Sequence, residues 1–257
     1  VVAVLNGTSP DAPQFLFGAH YDSENGMVEN YSDALNMSAP GADDDASGIA
    51  AVIELARVLS AVDLKNTIKF VAFDAEEYGY DFSGGLKGSS YFATHEKATG
   101  VEYVGSAILD MIGYKDGQAN IVFGIVNDKD NAFAKHVLMA VSEYDINLTF
   151  EVHVKPSITF SDHSSFWQVG YPSMLVIEEL STTTNEPVNP FYHTPNDTSD
   201  RLSEDQMEEV TKAMAAGLLE LLSPHKNTLV LVIVLLAVAV AAVAIVVLYQ
   251  HNKKRKG

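Results

Sequence analysis

Histidines and acidic residues recur in this chain where apolar runs end. Phe17-Gly18-Ala19 leads into His20-Tyr21-Asp22. In extended chain residues two apart face the same way, so the imidazole and the carboxylate share a side. A carboxylate so placed can accept a hydrogen bond from one ring nitrogen and leave the other for a metal, although a structural histidine explains the pair equally well. Further on, Asp43-Asp44-Asp45 precedes a helical pattern. Helix capping by Asp45 accounts for one of the three charges, and a divalent cation or a solvated acidic loop accounts for the others. Ile68–Phe73 then runs into Asp74-Ala75-Glu76-Glu77, where a turn can present both glutamates to one cavity. One would bind metal while its neighbour acts as general base on water. Asp110 follows another apolar run, and His193 stands in a loop rich in turn residues. Two imidazoles and several carboxylates form a nitrogen and oxygen donor set suited to zinc or a similar divalent ion. The acids outnumber what one catalytic ion needs, so two ions bridged by a carboxylate fit the inventory better.

These residues need a scaffold that gathers strand ends. Strands are expected at Val1–Leu5, Gln14–Ala19, Thr67–Phe73, Ala107–Met111, Ala119–Ile125, Thr149–Val154 and Ser173–Ile177. Helices are expected at Ala46–Ala61, Gly85–His95, Asp128–Tyr144, Asp162–Val169 and Ser203–Leu222. In the first helix Ile49, Val52, Ile53, Ala56 and Leu59 recur at spacings of three and four, which predicts a single buried stripe. Nearly continuous apolar strands separated by helices predict an α/β fold, a central mostly parallel mixed sheet covered by helices on both faces. In such folds functional groups gather beyond the carboxyl ends of the strands. Gly84-Gly85 and Asn189-Pro190 punctuate loops.

Composition narrows the class. The 257 residues contain no cysteine, which excludes disulfides, thiolate metal sites and cysteine nucleophiles. The formal net charge is −18, and four of the 16 basic residues stand in the last few positions, so the remainder is more acidic still. Such a surface repels nucleic acid and anionic lipid. From Leu229 to Tyr249 no charge, Pro or Gly interrupts the apolar run, which as a helix is roughly 31 Å long at about 1.5 Å per residue, the thickness of a bilayer core. Lys253, Lys254, Arg255 and Lys256 follow it. The expected organisation is therefore a catalytic domain over residues 1–224, a short linker at 225–228, one C-terminal transmembrane helix at 229–249 and a basic cytoplasmic tail at 250–257. The lipid bilayer would be a partner through that helix, with the catalytic domain outside the cell. The chain starts without Met on an apolar run, so its natural N-terminus is expected to be incomplete. Asn-x-Ser/Thr sequons stand at Asn6, Asn30, Asn36, Asn147 and Asn196.

As an ordered set, Gly18-Ala19-His20-Tyr21-Asp22-Ser23, Pro40 to Gly48, Ala75-Glu76-Glu77, Leu86-Lys87-Gly88-Ser89, Leu109-Asp110-Met111, Ser161-Asp162-His163 and His193-Thr194 resemble the two-zinc aminopeptidase family of secreted bacterial leucyl aminopeptidase type. Its relatives include glutamate carboxypeptidases, the transferrin receptor ectodomain and glutaminyl cyclases. The resemblance spans residues 1 to about 222. It implies two zinc ions: Asp44 bridges both, His20 and Asp110 complete one, Glu77 and His193 the other. Glu76 would be the general base and then the acid that protonates the leaving amine. Asp22, Asp45, Asp162 and His163 would stand behind the ligands, and a cis peptide is implied between Asp44 and Asp45. The family's disulfide-bonded loop with its tyrosine is replaced here by Pro156-Ser157-Ile158-Thr159-Phe160. Phe166 and Trp167 are expected in the core or pocket wall.

The implied activity is zinc-dependent hydrolysis of N-terminal residues from peptides. A glutaminyl cyclase-type transferase, a carboxypeptidase or dipeptidase on the same site, and a non-catalytic receptor-like relative are the alternatives.

Overall fold

Seven apolar runs and five amphipathic ones become strands and helices in a computed structural model of the chain, which describes residues 1–26, 38–77, 85–117, 119–181 and 183–223. In chain order the elements are β1 (Val2–Leu5), β2 (Gln14–His20), α1 (Ala46–Leu59), β3 (Ile68–Phe73), α2 (Lys87–Ala98), β4 (Tyr103–Leu109), β5 (Ile121–Val126), α3 (Ala132–Glu143), β6 (Thr149–Val154), α4 (His163–Gln168), β7 (Met174–Glu178) and α5 (Glu204–Leu222), with a 3-10 turn at Ser199–Arg201. The strands form one sheet in the order β1-β3-β2-β4-β7-β5-β6. Four of its pairings are parallel, and β1 with β3 and β5 with β7 are antiparallel. The mostly parallel mixed sheet is as expected.

Alternation along β2 divides the core. Phe15, Phe17 and Ala19 point to the face covered by α1, α3 and α5. Leu16 points to the other, where Val71, Phe73, Ile108, Phe166 and Tyr171 pack with Ala93 of α2. Both faces are therefore buried, which explains why these strands read as unbroken apolar runs. Because β3, β2, β4 and β7 are parallel neighbours, their carboxyl ends open along one edge of the sheet. There the chain places His20, residues 74–77 and Asp110.

Most bounds shift by one to three residues, and three differences from expectation have a physical reason. β4 begins at Tyr103 rather than Ala107, because pairing with β2 recruits Gly105 and Ser106 despite their poor strand propensity. The helix expected from Asp128 begins at Ala132, since the Asn131 side chain accepts from Ala134 N–H and sets the cap there. In α1 the buried stripe runs through Ala51, Val52, Leu55, Val58 and Leu59, whereas Ile53 is 65% exposed. Phe15 and Phe17 lie over Leu55 and its neighbours, and this contact rotates the helix away from the spacing that included Ile53. Leu55→Ala is expected to cost about 2–5 kcal/mol in urea denaturation. Ile53→Ser should stay within about 0.5 kcal/mol, and an equal loss in both would restore the original stripe.

Among the described residues no helix is long and apolar enough to cross a membrane. The run Leu229–Tyr249, the linker 225–228, the tail 250–257 and the sequons at Asn30 and Asn36 lie outside the described residues.

Candidate metal centre and active site

The acidic loop before α1 is held by hydrogen bonds at every aspartate. Asp45 caps the helix by accepting from Gly48 N–H at 3.0 Å, and it also accepts from the N–H groups of His20 and Met111. Its carboxylate is therefore spent on the backbone of three elements. Asp43 accepts from Gly113 N–H at 2.7 Å and from the Asn189 amide at 2.9 Å. The N–H groups of Asp43 and Asp44 both donate to the two oxygens of Asp197. The peptide between Asp44 and Asp45 is cis, and of the three aspartates Asp44 lines the cavity. One oxygen lies 3.1 Å from His20 Nε2 and the other 3.1 Å from His193 Nε2.

The two glutamates are fixed from both sides. Asp22 uses one oxygen for Glu76 N–H and the other for Glu77 N–H, each at 3.2 Å. On the far side, the start of α2 donates three N–H groups, from Leu86, Lys87 and Gly88, to the carbonyls of Glu76, Ala75 and Asp74. A Cβ at Gly85 would stand 1.8 Å from the Glu76 carbonyl oxygen, so this approach requires glycine. Asp22 thus does more than its expected task and also less. His20 Nδ1–H donates to the main-chain carbonyl of Asp22 at 3.0 Å, while the carboxylate stays 3.6 Å away.

His193 comes from the loop before the 3-10 turn, at φ +54°. Its Nε2 also lies 3.2 Å from Glu77 Oε2, and Asp110 Oδ1 lies 3.6 Å from His20 Nε2. The six residues singled out in the sequence for chemistry, His20, Asp44, Glu76, Glu77, Asp110 and His193, all line one cavity of about 340 Å³. Leu86, Met111, Phe160, Ile177, Pro187 and Tyr192 supply its apolar wall.

The electrostatics of this cavity come from burying many carboxylates together. Burial pushes Glu77 up to about 7, against the hydrogen bond from His193. Burial also holds Glu76 well above the usual carboxylate range, against the nearby His20 charge and with Asp110, Asp162 and Glu77 adding to the rise. For Asp44 burial acts upward too, but the bonds to His193 and His20 win and hold it at about 2. Burial lowers His193, yet Asp44 and Glu77 raise it to about 10. Tyr192, stacked on His193 at 3.8 Å, is kept a protonated donor by burial and by the surrounding carboxylates.

Glu77, Asp162 and His193 all have folded values above their ordinary ones. The folded state therefore binds more protons, and stability falls as pH rises from about 4 through 7 for the carboxyls and onward toward 10 for the imidazole. The chain stripped of divalent ions is expected to lose thermal midpoint between pH 5 and 8, by about 2–4 °C for each kcal/mol lost. Zinc should flatten that slope, and a midpoint that rises with pH in the stripped chain would contradict it.

A divalent metal suits these donors. Glu77 Oε1 is buried without a hydrogen-bond partner. Among the described residues, His20–Asp45–Asp110, His20–Glu76–Glu77 and Glu24–Glu77–His193 each bring donor atoms within 4.8 Å of one another. The carboxylate of Asp45 is occupied by backbone N–H groups, whereas Asp44 turns one oxygen toward each imidazole.

The residues expected behind the ligands divide. Asp22 holds the backbone of Glu76 and Glu77, and Asp45 that of His20, as above. Asp162 is wholly buried at the start of α4 but caps no helix N–H; burial raises it to about 7 against the Ser89 hydroxyl. His163 donates from Nε2 to the Ile158 carbonyl at 3.0 Å, and burial lowers it to about 4, so it is a neutral fastener of the 156–160 loop. Phe166 packs in the core beneath α2, and Trp167 borders the cluster around Met111 while donating to the Ser173 carbonyl. Sequence reasoning passed over Tyr192, Asp197, Asn189 and Glu24. The first adjoins His193 in sequence, which was an available signal. The others sit among turn residues, where nothing in the pattern distinguishes a clamp from a solvated loop.

A model of peptidase family M28 matches residues 1–218. The chain is 34% identical over 230 residues to a leucine aminopeptidase 1 of Fusarium vanettenii, covering 85% of this chain and 54% of that protein. It is 31% identical over 232 residues to a leucine aminopeptidase 1 of Trichophyton rubrum, covering 86% and 57%. Among solved structures it is similar to a zinc aminopeptidase from Bacillus subtilis, with a TM-score of 0.67, 27% identity, and 88% of this chain against 50% of that one. The chain thus spans little more than half the length of these relatives.

Proposed function

The chain belongs to peptidase family M28, and on that premise we propose that it is a zinc-dependent exopeptidase that removes N-terminal residues from peptides. The observation that carries the reading is Asp44, which offers one carboxylate oxygen to the His20 side and one to the His193 side, each at 3.1 Å. A carboxylate so placed could be shared between two cations, one on each side. In this reading His20 and Asp110 complete one zinc site and Glu77 and His193 the other. Bound there, zinc supplies Lewis acidity to a water and to the scissile carbonyl.

The remaining steps belong to the protein. Glu76 lines the cavity with its backbone held by Asp22 and by Leu86 N–H. It takes a proton from the attacking water and returns it to the leaving amine. Burial raises it above the ordinary carboxylate range, so it binds a proton more firmly than an exposed glutamate would. The Tyr192 hydroxyl, protonated and in the cavity wall, donates to the carbonyl oxygen as charge develops. It thereby fills the part that the 156–160 loop, without a tyrosine, leaves open. The apolar wall of Leu86, Met111, Phe160, Ile177 and Pro187 suits an apolar first side chain, and the carboxylates suit the free ammonium beside it.

Aminoacyl and carboxyl-terminally varied peptides, assayed with and without chelator, test this. Release of N-terminal apolar residues, lost on chelation and restored by zinc, is expected. Cleavage that survives chelation, or release only from the carboxyl end, would overturn it. Tyr192→Phe should lower kcat about 10²-fold with KM little changed; unchanged kcat would remove the tyrosine from the reaction. Similarity to leucine aminopeptidases favours this reading over a cyclase or a non-catalytic relative.

The proposal includes a membrane anchor at 229–249, with the catalytic domain outside the cell and the basic tail inside. Its support is the uninterrupted apolar run followed by four cations. Release of the intact chain from membranes by alkaline extraction would refute the anchor.

A further inference from the structure

The two imidazoles of the centre are backed differently. His20 turns Nδ1 to the main-chain carbonyl of Asp22 at 3.0 Å, while the Asp22 carboxylate, 3.6 Å from that nitrogen, is committed to Glu76 and Glu77 N–H. His193 turns Nδ1 to a carboxylate directly, Glu24 Oε1 at 3.1 Å. Glu24 takes no part in the reaction as laid out above. It stands in a turn fastened on both sides. Ser23 Oγ donates to the Ala39 carbonyl at 2.8 Å and Asn25 Nδ2 to the Ser38 carbonyl at 3.0 Å. Gly26 N–H donates to the His193 carbonyl at 3.0 Å. A Cβ at Gly26 would come within 3.2 Å of His193 Cβ, so the turn lies tightly against that residue. Ring and main chain of His193 are thus gripped by one short segment. The grip matters because His193 sits in a loop at φ +54°, with neither helix nor strand to set its side-chain direction.

We propose that Glu24 is the positioning residue of His193, holding the Nδ1–H tautomer so that Nε2 faces Asp44 and Glu77, and that the His193–Glu77 half of the centre consequently holds its zinc more tightly than the His20–Asp110 half. The inference rests on the two-zinc reading above. A carboxylate partner fixes ring orientation and raises ligand basicity more than a neutral carbonyl does. Glu24 lies beside the opposite ring nitrogen from Asp44 and Glu77. It therefore does not share the ion that Nε2 would hold, although its oxygen is near enough to both to be grouped with them.

Zinc titration of the whole chain in detergent against a chromophoric chelator tests this, with Glu24→Ala and Glu24→Gln beside the unaltered protein. The unaltered chain should take up two ions in separable steps. Glu24→Ala should weaken the tighter step about 10- to 100-fold, the usual effect of removing a partner behind a ligand, and leave the weaker step within about twofold. The zinc concentration giving half-maximal activity should rise by the same factor. Glu24→Gln keeps an oxygen that accepts from Nδ1–H but loses the charge, so it should recover part of the loss and fall between alanine and the unaltered chain. Equal weakening of both steps, or a glutamine variant no better than alanine, would make Glu24 a packing residue of the loop and overturn the proposal. Unchanged zinc affinity in Glu24→Ala would overturn it as well. Uptake of fewer than two ions by the unaltered chain would instead bring down the two-zinc reading, and this inference with it.

Discussion

Replacing Glu76 with glutamine should lower kcat by about 10²–10⁴-fold while leaving the zinc content unchanged. The substitution keeps shape and removes the proton acceptor. Glu76 contributes its position through the backbone, with N–H on Asp22 and carbonyl on Leu86 N–H, and neither bond involves the side chain that changes. Its neighbour Glu77, not Glu76, lies against His193, so the ion-holding face stays intact. KM should move by a few-fold at most, because a general base acts on the transition state more than on bound substrate. Zinc analysis and steady-state kinetics on the same preparation decide the matter. Activity near that of the unaltered chain would take the base away from Glu76. Loss of zinc would instead make it a ligand and exchange the roles of the two glutamates.

Asp44→Asn should have the larger effect. The amide keeps one oxygen toward one imidazole and turns an N–H donor toward the other. The carboxylate is buried, and the imidazoles hold it at about 2, so it is anionic throughout the working range. Its loss removes the charge that both halves of the centre share. Zinc content should fall from two per chain to one or none, and kcat/KM should fall at least about 10⁴-fold, as the several kcal/mol of Lewis-acid stabilisation disappear at about 1.4 kcal/mol per tenfold. Asp43 and Asp45, although adjacent, are bound to Gly113, Asn189, Gly48, His20 and Met111 and cannot take over. Two zinc ions retained in Asp44→Asn would show that the bridge lies elsewhere.

Much of this centre was legible from residue type and order. His20, Glu76, Glu77 and Asp110 follow apolar runs, and a parallel sheet brings such ends to one edge regardless of the loops between them. Asp44 and His193 stood out by residue type in loops. The cis peptide implied by the resemblance is also present. Glu24, Asn189, Asp197 and Tyr192 were not legible. Tyr192 was signalled only by its place beside His193, whereas the others work across separations of more than 140 residues, as between Asn189 and Asp43 or between Asp197 and Asp44. No local pattern encodes such pairs, because turn residues serve a solvated loop and a buried clamp equally well. Ile53 fails for a related reason. Helical spacing admits several adjacent stripes, and packing against Phe15 and Phe17 selects the one through Leu55.

The sequence by itself determined that the chain alternates strands and helices, that it carries no thiol chemistry, and that it holds a donor set for divalent cations in the order of peptidase family M28. The first two follow from periodicity and residue type, which are local, and the third from the likeness of the ordered motifs to that family. The tertiary structure decided which of three consecutive aspartates faces the cavity, that Asp22 grips the backbone of both glutamates, and that the two imidazoles rest on unlike partners. Each of those depends on hydrogen bonds between loops from different strands, and the sheet fixes their meeting only once all of its parallel neighbours are in register.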